Sequence, residues 1–201
     1  MLTAFGIWTA AVYLIDVQPI GPYHSNVGFS SLNSFFHTLT GVHMSLYALT
    51  DLLSLIPLGF AAGFGALGLA QWISRRSLQK VDRSILALGG FYIAVIAAFL
   101  LFECFVVTYR PILIEGTLEA SYPSSTTLLV LSVMPTAALQ MKHRIRDRRL
   151  RRCTAAAITM FTVLMVLGRL LSGAHWLTDI IGGILLSAGL VMLYDYAADT
   201  E

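Results

Sequence analysis

Charge is scarce in this sequence. Only 12% of its 201 residues are Asp, Glu, Lys or Arg, against roughly 25% in a soluble globular domain, while 57% are hydrophobic. There are also only two cysteines, Cys104 and Cys153, which excludes a disulfide framework and a cysteine-rich metal site. The composition therefore excludes an ordinary soluble domain and predicts an integral membrane protein.

Long apolar stretches occur six times along the chain. A helix needs roughly 20 apolar residues to cross about 30 Å of hydrocarbon. Helices are expected because backbone polar groups in lipid must be satisfied within the segment. We predict an all-α membrane protein in which residues 1–201 form a single domain. Its six predicted transmembrane helices lie at about 2–20, 51–73, 84–108, 125–141, 153–171 and 177–196.

The positive charges are confined to two short runs. Of thirteen Lys and Arg residues, four lie in 75–83 and seven in 142–152. Basic residues beside spans favour the cytoplasmic side, so we predict two cytoplasmic loops and no nucleic-acid partner. Six spans then place both termini in the cytoplasm of a protein of the plasma (inner) membrane. An additional helical segment within residues 33–51 faces outward, either in the membrane interface or packed over the other helices.

Only two arginines lie outside these runs. Arg110 and Arg169 fall near the predicted outer ends of spans three and five. The positive-inside tendency opposes arginine there, so both are candidates for a functional site. The alternative is a structural ion pair, for which Glu103 is the nearest acid on the face of Arg110.

Three polar stretches are predicted to meet at this outer face. In the third stretch, GRLLSGAHWLTD, His175 and Asp179 are four residues apart, so a helix starting near Ala174 would place them on one face. An aspartate fixes the tautomer of a nucleophilic histidine. Ser124 and Ser125 open span four, where free backbone amides form an anion site. With two arginines to hold phosphoryl oxygens, the pattern favours phosphoryl transfer.

The same three stretches resemble the motifs of the type 2 phosphatidic acid phosphatase superfamily, which are integral-membrane lipid phosphate phosphatases. The family pattern is K-x6-R-P, then P-S-G-H, then S-R-x5-H-x3-D. The chain matches seven of these positions: Arg110, Pro111, Pro123, Ser124, Arg169, His175 and Asp179.

The resemblance implies a metal-independent hydrolase without a cofactor, whose partners are a lipid phosphate or diphosphate and membrane lipids. His175 would attack phosphorus and form a phosphohistidine, and Asp179 would orient it. Arg110, Arg169 and the amides near Ser124 and Ser125 would hold the phosphoryl group.

Four positions depart from the family pattern. Ser125 replaces glycine and Gly168 replaces serine, both mild changes, whereas Glu103 replaces lysine. Thr126 stands where the family has the histidine that protonates the leaving group, and a threonine hydroxyl is too weak an acid for that task. A diphosphate has a better leaving group than a monoester, so we predict a preference for polyprenyl or other lipid diphosphates.

Several alternatives stay open at this stage. One alternative is that Glu103, or His24, His37 or His43 of the first outer segment, substitutes for the missing acid. The protein could transfer phosphate to another acceptor, or bind lipid phosphates without turnover. A transporter is less favoured because no internal repeat is evident, and the polar residues could also merely cap helices.

Overall fold

The computed structural model describes residues 1–198, apart from the side chain of His143. The described chain is helical and contains no β-strand, only three isolated β-bridges. Its eight α-helices are α1 (Leu2–Leu14), α2 (Ser30–Thr40), α3 (Met44–Leu53), α4 (Leu55–Arg75), α5 (Arg83–Cys104), α6 (Ser125–Arg144), α7 (Arg148–Leu171) and α8 (Leu177–Ala198).

Four helical stretches are long and apolar enough to cross a membrane. They are Met44–Arg75, which joins α3 to α4, Arg83–Cys104, Arg148–Leu171 and Leu177–Ala198. Large apolar side chains along these helices face outward, as lipid-facing residues do. The chain is therefore a multi-pass membrane protein, although the six-span count is not confirmed.

The first predicted span is too short to cross the bilayer. α1 has 13 residues, about 20 Å at 1.5 Å per residue. It ends because Ile15 is extended and Asp16 has a φ of 46°. The Asp16 carboxylate instead accepts a hydrogen bond from the Ser31 amide at 2.7 Å. That bond is the main reason that the pKa of Asp16 falls to about 2.

The fourth predicted span is α6, which lies at the centre of the helices. α6 contacts α4, α5, α7 and α8. Its low hydropathy reflects buried polar residues such as Thr136 and Gln140. The Gln140 amide donates to Tyr194 Oη at 2.5 Å and to the Ser84 carbonyl at 3.1 Å. A helix enclosed by protein needs no lipid-facing surface, so it lacks the composition of a lipid-exposed span.

Close contact between α6 and α8 positions the site. A Cβ at Gly183 would lie 3.0 Å from Thr127 Cγ2, and one at Gly182 would lie 2.5 Å from the Tyr122 ring. This approach lets the Ser124 amide donate to the Asp179 carbonyl at 3.1 Å. The first turns of α6 and α8 are therefore joined side by side.

The segment predicted as an additional outer helix contains parts of α2 and α3, and α3 also belongs to the apolar stretch Met44–Arg75, so the outer helix is not confirmed. α2 packs on α8, and α3 packs on α7. Between them, the Gly41 carbonyl approaches Gly173 so closely that a Cβ there would lie 2.1 Å away. Gly173 also has a φ of 69°, so glycine is required at this contact. Which side of the membrane this segment faces stays a prediction.

Candidate active site

His175 lies in the loop between α7 and α8 rather than on a helix. α7 ends at Leu171 and α8 begins at Leu177, so the prediction that one helical face carries His175 and Asp179 is wrong. The loop turns at Gly173 before a helix can start. Its Trp176 indole donates to the Tyr109 carbonyl at 2.8 Å, which ties the loop to the α5–α6 connection. His175 itself is 3% exposed.

Ser121 joins His175 to Asp179. The imidazole Nδ1 is 3.8 Å from Asp179 Oδ2, too far for a direct hydrogen bond. Ser121 Oγ lies between them, 3.0 Å from Nδ1 and 2.5 Å from Asp179 Oδ2. The two motif residues are thus brought together through a serine that the sequence analysis did not select.

These contacts assign the tautomer of His175. The Ser121 hydroxyl has a single proton, which it donates to Asp179 Oδ2. The 3.0 Å contact between Ser121 Oγ and His175 Nδ1 then has Nδ1–H as its donor. Arg110 Nη1, which only donates, is 3.1 Å from Nε2, so Nε2 accepts. Both ends of the imidazole therefore indicate the Nδ1–H tautomer, with the lone pair on Nε2.

Burial keeps this imidazole neutral. Enclosure in the protein, together with the positive charges of Arg110 and Arg169, lowers the pKa of His175 to about 4 against the opposing effect of Asp179. The ordinary pKa of histidine is about 6.5. The lowered pKa therefore agrees with a neutral imidazole whose Nε2 accepts from Arg110 Nη1.

Asp179 is held by three donors at the start of α8. Besides Ser121, its carboxylate accepts from Thr108 Oγ1 at 3.0 Å and from the Trp176 amide at 2.9 Å. The second bond is the acidic half of a capping box, in which the third helical residue accepts from the N-cap amide. Asp179 is fully buried, and its position is fixed by the helix it caps.

Arg110 lies in the α5–α6 connection, since α5 ends earlier than span three was predicted to end. Its amide donates to the Glu119 carbonyl at 3.1 Å. Its Nε is 3.0 Å from Glu119 Oε2, while Nη1 faces His175. Glu119 is thus the counter-ion of Arg110.

Arg169, in the last turn of α7, is 1% exposed and is held by α3. Its Nη1 donates to Thr50 Oγ1 at 3.2 Å, and its Nη2 is 3.8 Å from Asp51 Oδ1. Its guanidinium carbon lies 4.3 Å from the centre of the Tyr47 ring, and that of Arg110 lies 5.7 Å from the same ring. The two arginines therefore meet at one aromatic residue of α3.

The anion site predicted from the backbone amides of Ser124 and Ser125 differs from the observed start of α6 in one of these amides. Ser124 is fully buried; its amide donates to Asp179 and its hydroxyl accepts from Thr127 at 3.1 Å. Ser124 therefore links helices, and its amide is already used. The next amides, of Ser125 and Thr126, have no partner within the helix. Ser125 and Thr126 line a cavity of about 320 Å³ between α4, α5 and α6.

Glu103 is exposed and makes no ion pair with Arg110 or Arg169 in the described structure. The structural ion pair expected between Glu103 and these arginines is therefore wrong; Glu119 and Asp51 take that role. Asp51 lies far from Arg169 in the sequence, and Glu119 faces Arg110 only because the α5–α6 connection folds back on itself. Within residues 1–198, no three metal-ligating side chains come together.

The chain is a polytopic helical membrane protein in which a buried imidazole lies beside arginine, an arrangement that can bind an anion. Residues 104–200 match the model of the PAP2 superfamily, which supports the resemblance of the three motifs to that superfamily. The fold is similar to the crystal structure of the first transmembrane PAP2 type phosphatidylglycerolphosphate phosphatase from Bacillus subtilis. The TM-score is 0.58 at 16% identity, over 97% of this chain and 92% of that one. No curated protein matches the sequence significantly.

Proposed function

We propose that the protein is a membrane lipid phosphatase that works through a phosphohistidine at His175. The observation that supports this most directly is the position of His175 Nε2, 3.1 Å from Arg110 Nη1. The match of residues 104–200 to the PAP2 superfamily model, and a fold similar to that of a phosphatidylglycerolphosphate phosphatase, support the same reaction class.

In the first step, the Nε2 lone pair attacks phosphorus and the bond from phosphorus to the leaving oxygen breaks. Arg110 turns its Nη1 from Nε2 to the phosphoryl oxygens, and Arg169 holds the same group. The imidazole becomes positively charged, and its Nδ1–H remains bonded to Ser121. The buried charge is balanced by Asp179, which is one hydroxyl away.

In the second step, water attacks the phosphohistidine. The bond between phosphorus and Nε2 breaks, its electron pair returns to Nε2, and inorganic phosphate leaves. A phosphotransferase would use the same nucleophile with another acceptor, but no contact in the structure favours it. A pocket that only bound anions would not need the Ser121–Asp179 arrangement behind His175.

The helix ends support an outward-facing site in the plasma (inner) membrane. The Gln140–Ser84 bond places the basic runs 75–83 and 142–152 at one end of the molecule. Arg169 and Ser125 lie at the opposite ends of their helices. Cytoplasmic basic loops would therefore place the site on the outer side. The cytoplasmic location of both termini stays a prediction.

The proposed substrates are lipid diphosphates, such as a polyprenyl diphosphate. Attack on the terminal phosphorus expels a lipid phosphate, whose second pKa is near 6 and which needs no added proton. A monoester expels an alkoxide, which needs a general acid worth about 10²–10⁴ in rate. Thr126 cannot supply that proton, and Glu103 makes no contact with the described nucleophile.

Replacing Thr126 tests this preference. We expect wild-type protein to release phosphate from farnesyl diphosphate faster than from phosphatidic acid. Thr126→His should raise turnover of phosphatidic acid about 10-fold or more by restoring a general acid, with little change for the diphosphate. Phosphate release from both lipids in detergent micelles measures this. The exposed Thr117→His is the matched control, and wild-type turnover of the monoester at an equal or higher rate would remove the proposal.

A further inference from the structure

With threonine at position 126, the protein lacks a general base there as well as a general acid. A group that donates a proton to the leaving oxygen accepts one from water when the phosphoenzyme is hydrolysed. A good leaving group makes protonation of the leaving oxygen unnecessary, but it does not activate the water. The second step still needs a base close to the phosphoryl group.

We infer that Asp51 is that base. Asp51 and Thr126 line the same cavity of about 320 Å³, Asp51 from the end of α3 and Thr126 from the start of α6. Asp51 is the only ionisable residue of the described chain on this lining, which otherwise consists of two serines, Thr126 and apolar side chains. The inference depends on the proposed function, because it assigns a role within the same reaction.

The ion pair with Arg169 places Asp51 beside a residue that we propose holds the phosphoryl group. Asp51 Oδ1 is 3.8 Å from Arg169 Nη2, and its side chain is 61% exposed. Arg169 therefore presents one nitrogen towards the carboxylate while its buried Nε has no hydrogen-bond partner in the described structure. A phosphoryl group held by Arg169 would thus lie on the same guanidinium group that contacts Asp51.

The other candidate groups are engaged elsewhere. His37 Nε2 is 3.2 Å from the Gly173 carbonyl, and His43 Nε2 is 2.9 Å from the Thr40 carbonyl. His24 is exposed in the turn at residues 22–24. Glu119 contacts Arg110 on its Nε side, away from His175. None of these four residues lines the cavity that Thr126 shares with Asp51.

The step balances without another reactant. The water oxygen bonds to phosphorus while its proton passes to the Asp51 carboxylate. The bond from phosphorus to Nε2 breaks and Nε2 regains its lone pair. Release of phosphate and loss of the proton from Asp51 to solvent complete the cycle.

Rapid-quench kinetics of Asp51→Asn with farnesyl diphosphate test this role. We expect a burst of farnesyl phosphate equal in amount to the enzyme at the wild-type rate. Phosphate release should then be slower on the order of 10²–10⁴-fold, while phosphohistidine accumulates. Asp51→Glu should restore much of the second step. Glu115→Gln, an exposed loop carboxylate, is the matched control and should behave like wild type.

Three results would overturn the inference. The first is a parallel fall in the burst and steady-state rates of Asp51→Asn, which would assign Asp51 to placing Arg169. The second is wild-type values for both rates, and the third is accumulation of the phosphohistidine in Glu119→Gln instead. Wild-type protein that produced no farnesyl phosphate would instead refute the proposed function, so the two failures are distinguishable.

Discussion

His175→Ala is expected to reduce phosphate release from farnesyl diphosphate on the order of 10⁴–10⁶-fold, the loss typical when a covalent nucleophile is removed. No neighbouring group can replace Nε2, because Ser121 is bonded to Asp179 and Arg110 only donates. The variant should also form no covalent phosphoenzyme. Phosphate release by purified protein in detergent, with a quenched single-turnover assay, measures both effects.

Folding must be separated from chemistry in this variant. His175 is buried, and its loss removes a hydrogen-bonding partner of Ser121, which costs about 1–3 kcal/mol. Thermal unfolding of His175→Ala therefore accompanies the assay. The exposed His24→Ala is the control and should keep wild-type turnover. A well-folded His175→Ala protein with more than a few per cent of wild-type activity would contradict the mechanism.

Arg169→Lys is expected to lower kcat/KM for the diphosphate on the order of 10²–10³-fold, the loss typical when one preorganised donor to the transition state is removed. Lysine keeps the positive charge but cannot donate two parallel hydrogen bonds. It would also lose the stacking of the guanidinium 4.3 Å from the Tyr47 ring. Steady-state kinetics over a range of lipid concentrations gives the loss.

The control for Arg169→Lys is Arg149→Lys, at an exposed position in the second basic run. It makes the same chemical change outside the site and should leave kcat/KM unaltered. If Arg169→Lys also kept wild-type kcat/KM, Arg169 would have a structural role with α3 rather than a role in holding phosphate.

The sequence predicted the helical membrane class well because hydropathy reports exposure to lipid. It located α8 closely, since predicted span six began at residue 177 as the helix does. It failed for α1, where the apolar run continues past a backbone turn at Asp16 that hydropathy does not register. The hydropathy pattern also did not predict that α3 and α4 together form an apolar stretch longer than the predicted second span.

The site was predictable where its residues belong to short motifs. His175, Asp179, Arg110 and Arg169 were selected from local spacing and from the unusual placement of lone arginines. Ser121 was missed, although it lies in the stretch ASYPSSTT, because its role depends on a 3.8 Å gap between two other side chains.

Tyr47 and Asp51 had no sequence signal. They contact the arginines only because α3 packs on α7. No periodic pattern in the sequence predicts that packing. Pairings between distant segments require coordinates.

The most direct test of the account is the chemical identity of the phosphoenzyme. Wild-type protein is mixed with farnesyl diphosphate labelled at its terminal phosphorus, quenched in alkali and digested, and the labelled peptide is sequenced by mass spectrometry. The account predicts an alkali-stable, acid-labile phosphoramidate on His175. A label on Ser121 or Asp179, or turnover with no labelled protein in the single-turnover time range, would contradict it.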